Sequence, residues 1–267
     1  MIDLQGAVTV VTGGRVGVGR ALALEAAQRG SKVLIASRSD ASDTVNELRE
    51  LGAEAEWFPT DVREPESWAA LREFAITTFG QVNVVINNAA GGNASGSLAD
   101  VSLEAVQEVI NTNILGYVYG IRTFADDLRS AAAAGQAAYI LNVGSEHSLG
   151  VPPHVMPLSP YTISKQAGLA ITEVTRRDLA EAGVGVSLVA PGWVLTETVS
   201  DLIEKSEAFA NAVLPYAQSS DLVAKIAFEG LLQGRGVIVT NPKSVPFARA
   251  RAEGLLSDYA WAEELDA

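Results

Sequence analysis

The chain has 267 residues, 48% of them hydrophobic and 19% charged, with 24 Gly and 10 Pro, which suits one large globular domain or at most two small ones and excludes a disordered chain. Lys and Arg total 19 against 32 Asp and Glu, a net charge of −13, and so acidic a surface repels a phosphate backbone, which argues against nucleic-acid binding. With no Cys, disulfides, thiolate metal sites and thiol catalysis are excluded; no metal site is expected, and the chain fits a reducing cytoplasm.

The opening Met1-Ile2-Asp3-Leu4-Gln5-Gly6 has neither the basic region nor the apolar stretch of a secretory signal, so no cleaved leader is expected. No apolar run approaches the ~18 to 20 residues that cross a bilayer, and a soluble protein is predicted. Seven strands are predicted in chain order, at Ala7 to Val11, Lys32 to Ala36, Ala55 to Pro59, Val82 to Ile86, Ala138 to Val143, Gly185 to Val189 and Gly236 to Thr240. They are rich in Val and Ile without polar alternation, the pattern of parallel strands covered on both faces.

Helices fill the intervals. Val18, Ala21, Leu22 and Ala26 share a face, with Gly30 placed to end the helix; Pro65 opens the next; Ser102 caps a long one through Leu128; Ser159 caps another with Pro160 at its first position; Ser220 or Asp221 caps one ending near Gly234. Alternation of strand and helix predicts an α/β, doubly wound Rossmann sheet of seven parallel strands with helices on both faces, as a single domain over 1–267. An eight-stranded barrel is the rival at this length, but only seven strands are visible. In an open sheet the ligand lies beyond the carboxyl ends of the strands.

There the first strand runs into Thr12-Gly13-Gly14-Arg15-Val16-Gly17-Val18-Gly19, a loop that reads as a dinucleotide cradle. A helix N-terminus offers free N–H groups and a positive dipole end, and glycine lets the backbone close on a pyrophosphate. The spacing G-x-x-x-G-x-G at Gly13, Gly17 and Gly19 differs from G-x-G-x-x-G, so the common fingerprint does not apply literally. At the end of the second strand stand Ser37 and Arg38, where a carboxylate would favour NAD and a guanidinium a 2′-phosphate. NADP is therefore preferred over NAD, with Asp40 two residues on as the opposing feature.

Tyr161 and Lys165 fall at i and i+4 on the predicted helix. A nearby ammonium stabilises phenolate and is expected to lower the tyrosine pKa from its ordinary value of about 10. With these residues the chain resembles the short-chain dehydrogenase/reductase family, the compact single-domain branch of NAD(P)-dependent oxidoreductases. Nearly the whole chain takes part, through the glycine loop, Asp61-Val62, Asn87-Asn88-Ala89-Ala90, Asn111-Thr112-Asn113, Asn142-Val143-Gly144-Ser145, Tyr161/Lys165 and Pro191-Gly192-Trp193-Val194-Leu195-Thr196, in that order.

The resemblance implies that Tyr161 exchanges the proton on the substrate oxygen and that Ser145 hydrogen-bonds that oxygen. Lys165 would bind the nicotinamide ribose and depress the Tyr161 pKa, and Asn113 would support a water relay to the lysine. It places Asp61 and Val62 at the adenine, Asn87 and Ala89 with the neighbouring Asn88 on the adenosine side, and Pro191, Gly192, Val194 and Thr196 at the nicotinamide, with Thr196 orienting the carboxamide. Thr12, Gly13, Arg15, Gly17, Val18, Gly19, Ser37 and Arg38 complete the expected cofactor contacts.

The chain departs from the family pattern at Ala90, where glycine is usual, at the sixteen-residue interval from Ser145 to Tyr161, about three longer than usual, and at Thr240-Asn241-Pro242, where relatives often carry Asp-Gly-Gly. Ser148 matches the usual spacing, but Ser145 matches the strand-end motif and is preferred. Both histidines, His147 and His154, lie in the lengthened loop with Glu146 and several prolines; they either bond a polar substrate group or face water. Residues 193–216, with Leu195, Val199, Leu202, Ile203, Phe209, Val213, Leu214 and Tyr216, read as an amphipathic lid that selects a bulky, aromatic or cyclic hydroxyl or carbonyl substrate. The tail, 242–267, covers its own pocket, a partner's, or its own domain; the resemblance implies a homo-oligomer, tetramer or dimer. The reading is an alcohol/ketone oxidoreductase, against a non-catalytic nucleotide-binding regulatory protein and, third, a lyase or epimerase.

Overall fold

Successive residues of a strand face opposite sides of its sheet, so a strand apolar at every position demands cover on both sides. In the computed structural model, which describes residues 4–91 and 95–263, this demand is met by seven parallel strands: β1 (Val8–Thr12), β2 (Lys32–Ser37), β3 (Ala55–Pro59), β4 (Val84–Asn87), β5 (Tyr139–Val143), β6 (Gly185–Ala190) and β9 (Val237–Val239), in the order β3-β2-β1-β4-β5-β6-β9. Met1 to Asp3 of the predicted N-terminus and 264–267 of the predicted tail lie outside the described residues. A two-residue pair, β7 (Val194–Leu195) with β8 (Gln218–Ser219), forms apart from the main sheet.

The two faces build separate cores. Val11, Val33, Ile35, Val84 and Ile86 point to one side, where α1 (Gly17–Gln28), α2 (Ser42–Glu50) and α9 (Ser220–Leu232) contribute Leu22, Leu48 and Phe228. Their neighbours Val10, Leu34, Ala36 and Val85 point to the other, where Trp68 and Leu71 of α3 (Pro65–Phe79) and Phe124 and Leu128 of α5 (Gly116–Ala133) close the layer. Each such side chain contributes about 1.5–3 kcal/mol on leaving water. Strand order reverses between β1 and β4, and the crevice beyond their carboxyl ends is the place where this topology binds ligands.

The predicted helix from Ser102 through Leu128 is interrupted. It runs as α4 (Leu103–Val109), a π-helical segment Ile110–Leu115, and α5, which continues to Ala133. Ser102 does cap it, accepting from Ala105 N. Two other caps fall one residue earlier than predicted. The helix α6 (Ser159–Asp178) is preceded by Leu158 without a side-chain cap, so Ser159 is helical rather than capping, and α9 is capped by Ser219 rather than Ser220 or Asp221. The segment predicted as a lid folds as α7 (Glu197–Lys205), α8 (Glu207–Val213) and a 3₁₀ turn Leu214–Tyr216; the tail forms α10 (Val245–Glu263). Among the described residues no helix is long and apolar enough to cross a membrane.

Candidate active site

The glycine loop joins β1 to the N-terminus of α1. Gly13 and Gly17 have φ of +64° and +60°, the left-handed region that residues with a Cβ avoid. Thr12, expected at the cofactor, is buried under the loop. Its hydroxyl donates to the Ile86 carbonyl and accepts from Asn88 N at 2.9 Å and Ala89 N at 3.0 Å, tying β1 to the end of β4. The Asn88 amide in turn donates to the carbonyls of Thr12 and Gly13.

A cleft of about 410 Å³ opens beside this loop, at the switch in strand order, lined by Gly13, Arg15, Val18 and Gly19 of the loop, Ser37 at the end of β2 and Arg38 just beyond it, and Asp61, Val62, Asn88 and Ala89. Arg63, Thr112 and Ala90 join them, none of which the sequence pattern singled out as a contact. Asn87, expected on the adenosine side, is instead buried between strands, donating to Asn142 Oδ1 at 2.8 Å. Asp40, the feature that argued against NADP, turns away: its carboxylate accepts from Ser42 N and Ser42 Oγ at the start of α2, and those bonds lower its pKa. The Arg63 guanidinium grips Asp61 and holds that carboxyl below its ordinary value.

The residues present fit a dinucleotide. Gly17 N, at the start of α1, donates to Glu197 Oε2 of α7 at 3.0 Å, so the N–H that a pyrophosphate oxygen would take already holds an anionic oxygen. Gly19 is too close to the Gly13 carbonyl for any side chain.

Ser145, Tyr161 and Lys165 stand farther along the rim, beyond β5 and on α6, and do not line the cleft. Ser145 hydrogen-bonds Tyr161 and accepts from His147 N in a 3₁₀ turn, Glu146–Ser148. Ser148 is fully buried and its hydroxyl accepts from Ser145 N, so it closes the turn behind Ser145. Lys165 Nζ lies 5.5 Å from the Tyr161 ring centroid and donates to the Val143 carbonyl at 2.7 Å and to the Tyr117 hydroxyl at 3.3 Å. The π-helical segment turns Asn113 inward, where its amide accepts from Gly91 N and donates to Ser164 Oγ. One extra residue in a helical turn is a common device at functional sites.

The expected acidification of Tyr161 by Lys165 is overturned in the cofactor-free chain. Burial raises the phenol pKa; the Ser145 hydrogen bond opposes this and the Glu146 carboxylate adds to it. Lys165 itself is pushed down to about 8 by burial, and its bonds run to Val143 and Tyr117 rather than to the phenol oxygen. At neutral pH Tyr161 therefore keeps its proton.

The two histidines differ: His147 is buried, while His154 keeps 17% of its side chain exposed. His147 is 5% exposed, packs edge-on against the Tyr161 ring at 5.2 Å, and bonds Thr162 Oγ1 through Nδ1 at 2.8 Å. The Thr162 hydroxyl proton already goes to the Leu158 carbonyl, so Nδ1 carries the histidine proton. Burial lowers the His147 pKa to about 4, which keeps the ring neutral. His154 bonds the buried Glu146 and stacks on Tyr216 at 4.7 Å. Glu146 also accepts from Ser244 Oγ at 2.6 Å, and Asn241 donates to the Tyr216 carbonyl. One buried carboxylate thus fastens the lengthened loop and the segment before α10, while His154 and Asn241 fasten the end of the predicted lid. Of the expected nicotinamide contacts, Pro191 and Val194 are buried, Pro191 accepts from Glu146 N, and the Thr196 hydroxyl caps α7 by accepting from Val199 N.

Residues 7–207 match the family model described as short chain dehydrogenase. The chain is 34% identical over 197 residues to the uncharacterized oxidoreductase YxnA of Bacillus subtilis (strain 168), a match covering 72% of this chain and 53% of YxnA's length. It is 25% identical over 240 residues to cyclohexanol dehydrogenase of Acinetobacter sp. (strain SE19), covering 89% of this chain and 92% of that one. Among solved structures, a short-chain dehydrogenase/reductase from Burkholderia phymatum in complex with NAD superposes with a TM-score of 0.84 at 31% identity, covering 97% of each chain.

Proposed function

This chain belongs to the short-chain dehydrogenase/reductase family, and from that premise we propose that it is an NADP-preferring oxidoreductase that interconverts a secondary alcohol and a ketone on a bulky hydrophobic, aromatic or cyclic substrate. The observation that carries the reading is the rim beyond β5, where Ser145 bonds the Tyr161 phenol and Lys165 lies under the same ring. A bound nicotinamide supplies and accepts the hydride. Ser145 and Tyr161 hold the substrate oxygen by two hydrogen bonds, and Tyr161 delivers the proton to that oxygen as a carbonyl becomes a carbinol. Lys165 and Asn113 keep the proton supply and the ribose end in register, and the glycine loop and α1 hold the pyrophosphate. Trp193 against Phe209, and Tyr216 and Phe247 each packed on His154, supply the aromatic walls that favour a bulky substrate. The exposed Leu255, Leu256, Tyr259 and Trp261 of α10 support a homo-oligomer.

The test is a screen of hydrophobic ketones and secondary alcohols with NADPH/NADP⁺ and NADH/NAD⁺ in parallel, following the cofactor and the product together. Arg15 and Arg38 in the cleft, with Asp40 turned away, support NADP. Replacing the guanidinium in Arg38→Asp is expected to shift the NADPH-to-NADH ratio of kcat/KM by about tenfold to 150-fold toward NADH, as charge-assisted hydrogen bonds are worth about 1.5–3 kcal/mol. An unchanged ratio removes Arg38 from cofactor choice. Activity confined to small hydrophilic alcohols overturns the substrate class.

Glu197 yields a third expectation. Its carboxylate sits on Gly17 N and must leave, or be repelled, when a pyrophosphate arrives. Charges at a helix N-terminus are worth about 0.3–1 kcal/mol, so Glu197→Gln is expected to tighten NADPH about two- to fivefold in a fluorescence titration. Weaker binding in the variant would instead make Glu197 a support of the bound state.

A further inference from the structure

Tyr117 stands four residues beyond Asn113, just past the π-helical segment, and no motif in the sequence points to it. It is 1% exposed. Its ring lies against Gly168, where an added Cβ would stand 3.0 Å from Tyr117 Cε2; Gly168 follows Lys165 by three positions on the same face of α6, so the missing side chain is what admits a second phenol beside the amine. The Tyr117 hydroxyl donates to the Val143 carbonyl at 2.5 Å. A hydroxyl has one proton, so toward Lys165 Nζ, 3.3 Å away, the same oxygen can only accept. The amine is thus held by two acceptors, the Val143 carbonyl and the Tyr117 oxygen, and lies 5.7 Å from the Tyr117 ring centroid and 5.5 Å from that of Tyr161.

We propose that Tyr117 is a positioning residue for Lys165, its phenol oxygen holding the amine charged and in place under the Tyr161 ring. The inference rests on the reading of Tyr161 and Lys165 given above. The groups that face the amine are Tyr117 from α5, Tyr161 from its own helix, the Val143 carbonyl from β5, and His147 from the turn after β5, while the Glu146 carboxylate in the same turn acts on the Tyr161 phenol. His147 is neutral near pH 7, so Tyr117 and Val143 supply the bonds that favour the ammonium. Burial acts against them and brings the amine down to about 8. Losing an acceptor of the charged form lowers the amine further. Well below its pKa the ammonium persists with or without Tyr117, while near pH 8 the weakened site loses it first.

The chain has five lysines, so ε-¹³C-lysine NMR of the cofactor-free protein can follow Lys165, assigned by Lys165→Met. In Tyr117→Phe the ring and its packing stay and only the oxygen goes. The expected result is a Lys165 midpoint lowered by about half to one unit, with a kcat deficit of about two- to fivefold at pH 8 that shrinks at pH 6. Gly168→Ala, which retains the hydroxyl but crowds its ring, is expected to move the midpoint in the same direction. Tyr139→Phe, at a buried phenol whose hydroxyl has no partner among the described residues, is expected to leave it unmoved. A Tyr117→Phe midpoint equal to the wild type's, with a deficit uniform across pH, overturns the proposal and leaves Tyr117 as packing. If the wild type turns over no alcohol or ketone, the oxidoreductase reading fails, while the titration of the cofactor-free protein still decides the place of Tyr117.

Discussion

Tyr161→Phe is expected to lower kcat for ketone reduction by about a thousandfold, within the 10²–10⁴ that a positioned general acid contributes, while the NADPH dissociation constant changes less than about twofold. The substitution removes one oxygen and nothing else. The ring that lies 5.5 Å above Lys165 Nζ and meets His147 edge-on at 5.2 Å remains, so the fold and the cofactor cleft, whose lining does not include Tyr161, are left as they were. Two losses combine at the substrate oxygen: the proton that burial keeps on the phenol at neutral pH, and one of the two hydrogen bonds that polarise the carbonyl. Steady-state kinetics paired with a binding titration separates these from a binding defect. A variant that retains most of its turnover with its cofactor affinity intact assigns the proton to another group.

The sheet was legible because its strands are covered on both faces: Val8-Thr9-Val10-Val11 and Lys32-Val33-Leu34-Ile35 can sit nowhere but in the middle of a layered molecule. The glycine loop was legible for a local reason, since Gly13 and Gly17 need positive φ at a strand-to-helix junction. What stayed hidden depends on contacts far apart in the chain. Lys165 meets Tyr117 across 48 residues and Gly17 meets Glu197 across 180, and no periodicity records such a meeting. The π-helical segment is invisible because one extra residue in a turn leaves the apolar pattern of a long helix almost unchanged. The error over the acidity of Tyr161 has the same origin. An i, i+4 spacing puts Lys165 on the right face, but only the three-dimensional packing shows that its hydrogen bonds go to Val143 and Tyr117 and that burial raises the phenol pKa.

Gly19→Ala is the second large effect expected. Alanine is the better helix former by about 1 kcal/mol, and Gly19 lies in the first turn of α1, so propensity alone predicts a gain. Packing decides otherwise. A Cβ at Gly19 would stand 2.4 Å from the Gly13 carbonyl oxygen and 2.4 Å from Asn88 Nδ2, and neither can give way cheaply. One is backbone in a loop fixed by positive φ, and the other is pinned by its bonds to the carbonyls of Thr12 and Gly13. The first turn of α1 must lift from the loop, which moves the N–H groups that would meet the pyrophosphate. NADPH binding is expected to weaken on the order of a hundredfold, about 2.7 kcal/mol, with a fall in Tm. Gly52→Ala is the control. Its φ of +85° makes a Cβ cost roughly 1–2 kcal/mol of stability, but nothing lies within 4 Å and the cofactor is remote, so Tm falls while affinity holds. A Gly19→Ala protein that binds NADPH as tightly as the wild type places the dinucleotide away from this loop.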